Sequence, residues 1–218
     1  MNNLKTENPS FSESLLCKAT ATWISLMNYK YDFTYGYKKK LHTISLSFTP
    51  DEYYHLSGFH YLDDLVIPRY TSEKLLTNIM NGIITQAQIE KSNNYINMVK
   101  PRLSAIACLD EILASEFTLY SYKPNMYPFY TNLTADYIIT SHKDNVIFVF
   151  LIGQNQTEVI SKCICTSAFT KGERDYTTNQ RSYTLLKKAR LNISSNISET
   201  LYIKDGFNDS TIPPTPIQ

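Results

Sequence analysis

The chain has 218 residues, and 21 Lys and Arg against 20 Asp and Glu give it a formal net charge of +1. A charge this small excludes a global field that captures polyanions, so nucleic-acid binding would depend on a local patch. Six glycines and no phosphate-loop or dinucleotide motif disfavour a nucleotide-dependent enzyme. The length fits one domain, which we place at residues 1–204, with a disordered tail at 205–218.

The cysteine pattern and the apolar runs predict where the protein resides. Its four cysteines, Cys17, Cys108, Cys163 and Cys165, form no CxxC motif. Cys163 and Cys165 are two apart in a strand-like run, which is poor disulfide geometry, so free thiols in a reducing compartment are expected. The first residues lack the apolar core of a signal peptide, and no run reaches membrane-spanning length. These features predict a cytoplasmic protein that does not contact a membrane.

The secondary-structure pattern changes from helical to strand-like along the chain. Residues 12–27 place apolar side chains every three to four positions, which predicts an amphipathic helix. The alternation over 41–48 predicts a strand, paired in a hairpin with 33–37. Interrupted helices are expected over 71–113. Strands are predicted at 117–122, 135–141, 146–152, 159–169 and 181–193; over the last range helix and strand patterns compete and strand is favoured. Helices grouped ahead of strands indicate an α+β fold.

A short capped helix between these regions carries two histidines. Thr49 and Glu52 form a capping box at its start, and Gly58 supplies a left-handed stop. The helix is therefore about two turns long. His55 falls in its last turn and His60 lies just beyond it.

The histidine pair is the main candidate for chemistry. Imidazole titrates near neutral pH, so one ring can accept a proton while the other donates one. Metal-independent RNA cleavage needs such a base and acid. In a second interpretation His55 only stabilises its helix end through the dipole, and His60 is a packed loop residue. A metal site with Asp63 and Asp64 is a third, although the spacing fits no specific site.

A second polar stretch, residues 174–183, is dense in hydrogen-bond donors. Guanidinium, phenol, hydroxyl and amide groups can hold a phosphate and stack on a base. Over residues 171–190, six basic side chains accompany two acidic ones. A solvated polar turn between strands has the same composition, so both interpretations stay open. His42 and His142 are expected on solvated strand positions.

Four segments carry a resemblance to a known family. They are Tyr54-His55-Leu56-Ser57-Gly58-Phe59-His60-Tyr61-Leu62-Asp63-Asp64, Ala135-Asp136-Tyr137-Ile138-Ile139, Asp175-Tyr176-Thr177-Thr178-Asn179-Gln180 and Thr184-Leu185-Leu186-Lys187-Lys188. In this order, over residues 11–195, they resemble a phage-associated family of the barnase–EndoU–colicin–RelE (BECR) nuclease superfamily. Phe59 departs from the aliphatic residue usual in that family.

The resemblance implies N-terminal helices packed on a curved antiparallel β-sheet and a metal-independent ribonuclease, often a toxin of phages or mobile elements. Position by position it carries over His55, His60, Tyr176, Thr177, Gln180 and Lys188. With the donor-rich stretch added, the predicted catalytic residues are His55, His60, Tyr176, Thr177 and Gln180, and the predicted substrate-binding residues are Arg174, Arg181, Tyr183 and Lys188.

Two function hypotheses follow. The first is an RNA-cleaving, toxin-like domain that needs no metal or cofactor, acts on tRNA or mRNA and is matched by a cognate inhibitor protein. The second is a non-catalytic phage protein that binds a host protein or nucleic acid through its tyrosine-rich surface. Acid–base cooperation requires the imidazoles and the 176–180 turn to meet on one concave surface, within about 10 Å of each other.

Overall fold

A computed structural model describes residues 14–68, 70–141, 146–156 and 160–208. The helices in these ranges are α1 (Leu15–Leu26), α2 (Pro50–Leu56), α3 (Ser72–Met80), α4 (Gln86–Ile89), α5 (Lys100–Ile106) and α6 (Leu109–Ala114). The strands are β1 (Tyr29–Tyr37), β2 (Lys40–Leu46), β3 (Phe117–Ser121), β4 (Tyr137–Ser141), β5 (Ile147–Gln156), β6 (Ile160–Thr170), β7 (Ser182–Asn192) and β8 (Ser198–Ile203). Short 3-10 turns occupy Phe59–Tyr61 and Pro124–Met126, and a π-helix occupies Tyr95–Val99.

The strands form a sheet that closes on itself. The order is β1-β2-β6-β5-β4-β3-β7, and β7 pairs back onto β1. All of these pairs are antiparallel except β2 with β6, which is parallel. Strand β8 adds to β7 outside the closed set. The predicted α+β class is confirmed, whereas neither the closure nor the one parallel pair was expected.

The helices share one large core with the sheet. α2 and α5 pack against β6, and α1 packs against α3 and α5. Trp23, Phe33, Leu103 and Val149 are fully buried in this core. A second, smaller cluster joins the side chains of Tyr122, Ile138, Phe148, Phe150 and Tyr176. It anchors the segment between β6 and β7, which borders the site described below.

The local signals in the sequence predicted most element boundaries. Both capping boxes form, at Thr49 before α2 and at Thr85 before α4. Pro101 stands in the first turn of α5, where the helix restarts. Strand β8 was not predicted. In the predicted tail, residues 205–208 follow β8 as a short turn, and 209–218 lie outside the described residues, as does His142.

The cysteines are free thiols, as predicted. Cys163 and Cys165 are buried on the same face of β6. Burial raises the pKa of both thiols to about 12, so they are neutral and unreactive at pH 7. Of the helices in the described ranges, none is both long and apolar enough to cross a membrane.

Candidate active site

Helix α2 presents His55 at the surface because its opposite side is fastened to α1. The indole Nε1 of Trp23 donates a hydrogen bond to the carbonyl oxygen of Thr49 at 3.0 Å. The hydroxyls of Thr20 and Tyr53 lie 2.7 Å apart inside the core. His55, in the last turn, remains exposed. Burial of one face thus fixes the direction of the other.

The turn after α2 brings the second imidazole back against the first. Gly58 has a φ of 82°, which ends the helix, and the 3-10 turn follows at once. The rings of His55 and His60 stack with centroids 4.3 Å apart and planes 12° apart. The Tyr61 ring lies 3.9 Å from the ring of His60. The two histidines therefore form one unit.

Arg102, on α5, lies beside this unit and was not predicted from the sequence. Its Nη1 donates to the carbonyl oxygen of Met98 at 2.6 Å, and its Nη2 donates to the Tyr61 hydroxyl at 3.3 Å. Its guanidinium carbon lies 4.8 Å from the Tyr61 ring centroid and 5.7 Å from that of Phe169. Gly58 permits this approach, because a Cβ there would lie 3.1 Å from the Arg102 Cδ.

The environment keeps both imidazoles neutral at pH 7. Burial, then the charges of His55 and Arg102, lower the pKa of His60 to about 4. Burial and the Arg102 charge lower the pKa of His55 as well. Backbone carbonyls of Tyr54 and His55 oppose part of the His60 shift. The buried Nδ1 of His60 makes no hydrogen bond to any described residue. An orphaned buried nitrogen is uncommon outside functional sites.

Two hollows lie at the site, one lined by His55 and the other by Arg102. The larger, of about 650 Å³, is lined by Arg102, Phe169, Lys171, Arg174 and Tyr176, and we call it the cationic cleft. The smaller, of about 350 Å³, is lined by Glu52, His55 and Thr166, and we call it the histidine pocket. Leu133 lines both. The Arg102 charge acts on both imidazoles and on Tyr176, so the two hollows share one electrostatic centre.

Of the predicted catalytic turn, Tyr176 is the residue that reaches the cleft. Its ring is 8% exposed and packs edge-on against Phe148 and Phe150. The hydroxyl of Tyr127 donates to the Tyr176 carbonyl at 2.8 Å. The sequence predicted Tyr176 near the histidines. In the structure it lines the cleft together with Arg102 and interacts with the Arg102 charge.

Thr177 and Gln180 are held by the turn itself. The backbone N–H and the hydroxyl of Thr177 donate to Asp175, at 2.9 and 2.6 Å. Gln180 accepts from the backbone N–H of Lys123 at 2.8 Å and donates to its carbonyl at 3.1 Å. Hydrogen bonds to Lys171 and Thr177 lower the pKa of Asp175 to about 2. With their donors engaged in this way, both side chains fix the turn's shape, and their catalytic role stays a prediction.

Arg174 keeps an exposed guanidinium at the cleft. Its Nη1 donates to the carbonyl oxygen of Tyr130 at 3.1 Å, and its Cζ lies 5.2 Å from the Phe129 ring centroid. Lys171, also exposed, pairs with Asp175 at 2.8 Å. The cleft therefore carries one half-buried cation, two exposed ones of which Lys171 is paired, and the exposed carboxylate of Glu173.

Lys188, predicted to bind substrate, is instead a core residue. It is 1% exposed. Its Nζ donates to the backbone carbonyls of Leu113, Ala114 and Ser115 at the end of α6. Burial lowers its pKa to about 8. An ammonium at a helix C-terminus satisfies carbonyls that have no intrahelical partner, so Lys188 serves the fold. Together with Tyr183 it also lines a separate small hollow of about 210 Å³.

Arg181 and Tyr183 lie at the start of β7, beside the β1–β2 hairpin. Arg181 donates to the Tyr37 hydroxyl at 2.8 Å. The Tyr183 ring packs 4.6 Å from that of Tyr35. Neither lines the cationic cleft or the histidine pocket. The donor-rich stretch is thus divided between two places. His42 is half-buried and stacks on Tyr35, so its expected solvated position is wrong.

The acidic pair after the histidines holds a loop. Asp64 accepts from the Ser92 hydroxyl at 2.6 Å and from the backbone N–H of Asn93 at 2.8 Å. Asp63 accepts from Asn94 at 3.3 Å. Among the described residues, no group of three or more His, Cys, Asp and Glu is placed to hold a metal ion. The carboxylates tie the 3-10 turn to the π-helix that precedes Arg102.

Fold and site together define an α+β protein with a nuclease-like cleft. A family model described as phage-Barnase-EndoU-ColicinE5/D-RelE like nuclease4 matches residues 15–205, and the chain belongs to this nuclease family. Comparison with curated proteins and with solved structures found no match.

Proposed function

We propose that the protein is a metal-independent ribonuclease that cleaves RNA by acid–base chemistry at the histidine pair. The observation that carries this proposal is the stacked His55–His60 unit beside Arg102, with His55 lining the histidine pocket and Arg102 lining the cationic cleft. A nuclease of this kind needs a base, an acid and fixed positive charge within reach of one phosphate. Membership of the nuclease family supports the same class of reaction.

In the proposed reaction, His55 accepts the proton of the RNA 2′-hydroxyl, and the 2′-oxygen attacks the phosphorus. The bond from phosphorus to the 5′-oxygen breaks, and His60 donates a proton to the departing oxygen. The products are a 2′,3′-cyclic phosphate and a free 5′-hydroxyl. His55 receives the first role because it is exposed and lines the pocket, whereas His60 is only partly exposed beside it.

The protonation state that this reaction needs arises when substrate binds. In the free protein, burial and the nearby Arg102 charge lower the pKa of both rings and favour their neutral forms. A bound phosphate brings negative charge next to them, which offsets the guanidinium and raises both pKa values. The pair then takes up one proton, so that one ring serves as base and the other as acid.

Charge on the phosphate is met by the cations of the cleft. Arg102 is held by Met98 and Tyr61, so it is oriented before substrate arrives. Preorganised donors of this kind stabilise developing negative charge better than mobile ones. Arg174, fixed by the Tyr130 carbonyl, is placed to contact a neighbouring phosphate.

The test uses the purified full chain and a fluorescent single-stranded RNA in buffer containing EDTA. Cleavage is expected, with 2′,3′-cyclic phosphate ends, and the same oligonucleotide made of DNA should stay intact because it lacks the nucleophile. His55→Ala should reduce kcat by roughly 10²–10⁴-fold. Arg102→Gln should reduce it by about 10²–10³-fold, because it removes positive charge from the transition state.

The control is His42→Gln, which removes an imidazole outside both hollows and should cleave a dinucleotide at the wild-type rate. Full activity in His55→Ala, or loss of activity in EDTA, would contradict the proposal.

One observation favours the non-catalytic alternative. Thr177 and Gln180 are expected to contact substrate, but their side chains donate hydrogen bonds within the protein. A binding protein that has kept the nuclease fold needs no such donors. It would retain RNA on a filter without cutting it, and His55→Ala would bind equally well.

A further inference from the structure

The β1–β2 hairpin carries the densest cluster of exposed cations outside the cleft. Lys38, Lys39 and Lys40 are consecutive and exposed, and Arg181 is exposed beside them. No carboxylate among the described residues forms an ion pair with any of the four. Four uncompensated charges at one end of a molecule whose net charge is +1 make a local anion-binding surface.

The turn itself holds two lysines in a backbone conformation that disfavours them. Lys38 and Lys39 have φ values of 49° and 62°, and Tyr37 pairs directly with Lys40. Such a two-residue turn favours Asn-Gly, because side chains with a Cβ are disfavoured at positive φ. Lysines at both positions therefore weaken the hairpin, and strain of this kind concentrates at functional sites.

Aromatic rings lie next to these charges. The Tyr37 ring has the Lys38 Nζ at 5.3 Å and the Arg181 guanidinium carbon at 5.4 Å from its centroid. The centroid of the Tyr183 ring lies 5.5 Å from that of the Tyr37 ring. Tyr37 and Tyr183 are half-buried, so their positions are fixed and part of each ring is accessible. Cations interleaved with fixed rings are the pattern that binds single-stranded nucleic acid, through phosphate contacts and base stacking.

The surface lies within a short distance of the cleft along the chain. Tyr176 lines the cleft, and Arg181 is five residues later, which spans at most about 18 Å of extended chain. Between them, Gln180 clamps the backbone of Lys123, whose side chain is exposed. Lys123 thus stands between the cleft and the hairpin as a further cation.

We propose that Tyr37, Lys38, Lys39, Lys40, Arg181 and Tyr183 form a platform that binds the single-stranded RNA flank beyond the scissile phosphate. This inference rests on the proposed ribonuclease function and names its substrate class. The lysines contact successive phosphates, and a base stacks at Tyr37 and Tyr183. Duplex RNA keeps its bases stacked inside the helix and offers none to these rings.

The decisive variant is Lys38→Asn with Lys39→Gly. It removes two charges and also gives the turn its preferred residues, so it should raise the melting temperature by about 4 °C or more. A loss of binding therefore cannot come from misfolding. The matched control, Lys18→Gln with Lys74→Gln, removes two exposed lysines from α1 and α3.

Binding is measured by fluorescence anisotropy with a single-stranded RNA of about a dozen nucleotides, in a His55→Ala background so that no cleavage intervenes. The hairpin variant should bind at least about tenfold more weakly at low salt, and its salt slope should fall by about 1.4, since single strands give about 0.7 per phosphate contact. The control should bind like the parent protein. Duplex RNA of equal length should bind more weakly to the parent and respond less to the variant.

With His55 restored, the hairpin variant should cleave a dinucleotide normally and raise KM for the longer strand. Unchanged affinity in the hairpin variant, or an equal loss in the helix control, would overturn the platform. Platform-dependent binding in a protein that cleaves nothing would instead overturn the ribonuclease while leaving the binding surface in place.

Discussion

Arg102 shapes the chemistry of the candidate site more than any residue that the sequence singled out. It contributes to the lowered pKa of both imidazoles and is held in place by Tyr61 and Met98. A guanidinium stays protonated at any pH of interest, so its influence on the histidines is constant. The pKa of His60, which falls to about 4, is the quantity in which this influence can be measured.

We expect a pH dependence of stability from His60. Its pKa falls from 6.5 to about 4 on folding, so between these values the unfolded chain binds more protons than the folded one. The free energy of unfolding should therefore decline as the pH falls from about 6.5 to 4. The Asp175 carboxyl, whose pKa is about 2, contributes only at lower pH. Urea unfolding at a series of pH values measures the decline.

His60→Gln should reduce that decline, because it removes the imidazole whose pKa falls to about 4, while His55, whose pKa is also lowered, still contributes. His42→Gln should keep it. NMR titration of the His60 ring in Arg102→Gln should give a higher pKa than in wild type. An unchanged decline in His60→Gln would assign the acid sensitivity to other groups.

At the scale of elements, the site is built by close approach of the turn after α2 to α5. Gly58 allows it, having no Cβ to meet Arg102 and Met98. On the far side of the sheet, Lys188 on β7 closes the end of α6. Each of these contacts joins segments distant in sequence.

Gly58→Ala should destabilise the protein by about 1–3 kcal/mol, because the residue has a φ of 82° and the new Cβ would crowd Arg102. Gly206→Ala has a similar φ of 77° but meets no atom within 4 Å, so it measures the backbone term alone. Urea denaturation should show the larger loss in Gly58→Ala, and only that variant should also lose RNA cleavage. Equal losses would mean that the contact with Arg102 is unimportant.

Lys188→Met should lower the free energy of unfolding by about 1–3 kcal/mol, because it leaves the last carbonyls of α6 without their donor in a buried place. Lys204→Met changes an exposed lysine at the end of β8 and should stay within about 0.5 kcal/mol of wild type. Thermal unfolding of both variants gives the comparison. If Lys188 instead contacted substrate, its loss would raise KM while stability stayed unchanged.

At the scale of the molecule, closure of the sheet makes the first hairpin and the last long strand depend on each other. β1 pairs with β2 on one edge and with β7 on the other, more than 140 residues later. The helix layer rests on β1 and β6. The described residues therefore do not divide into two parts that could separate from each other.

The protein should accordingly unfold in one cooperative transition. Trp23 is the sole tryptophan and is fully buried between α1 and α2, so its fluorescence reports the helix layer. Far-UV circular dichroism reports strands and helices together. The two urea transitions should coincide, and a separate earlier transition by fluorescence would reveal an independent helical unit.

Much of this architecture was predictable from local patterns. The capping box at Thr49 and the glycine at 58 determine where α2 begins and ends, because cap and stop signals act within a few residues. The five-residue spacing of His55 and His60 then brings their rings together. The consecutive strands β3 to β6 pair as antiparallel neighbours, as in the predicted meander.

By itself the sequence determined the α+β class, the histidine pair and the family. Only the tertiary structure decided that the sheet closes, that Arg102 joins the site, and that Lys188 leaves it. It also showed that the side chains of Thr177 and Gln180 make hydrogen bonds that hold the turn. The physical reason is range: caps and turns are fixed by neighbouring residues, whereas a polar side chain's exposure depends on which distant segments pack around it.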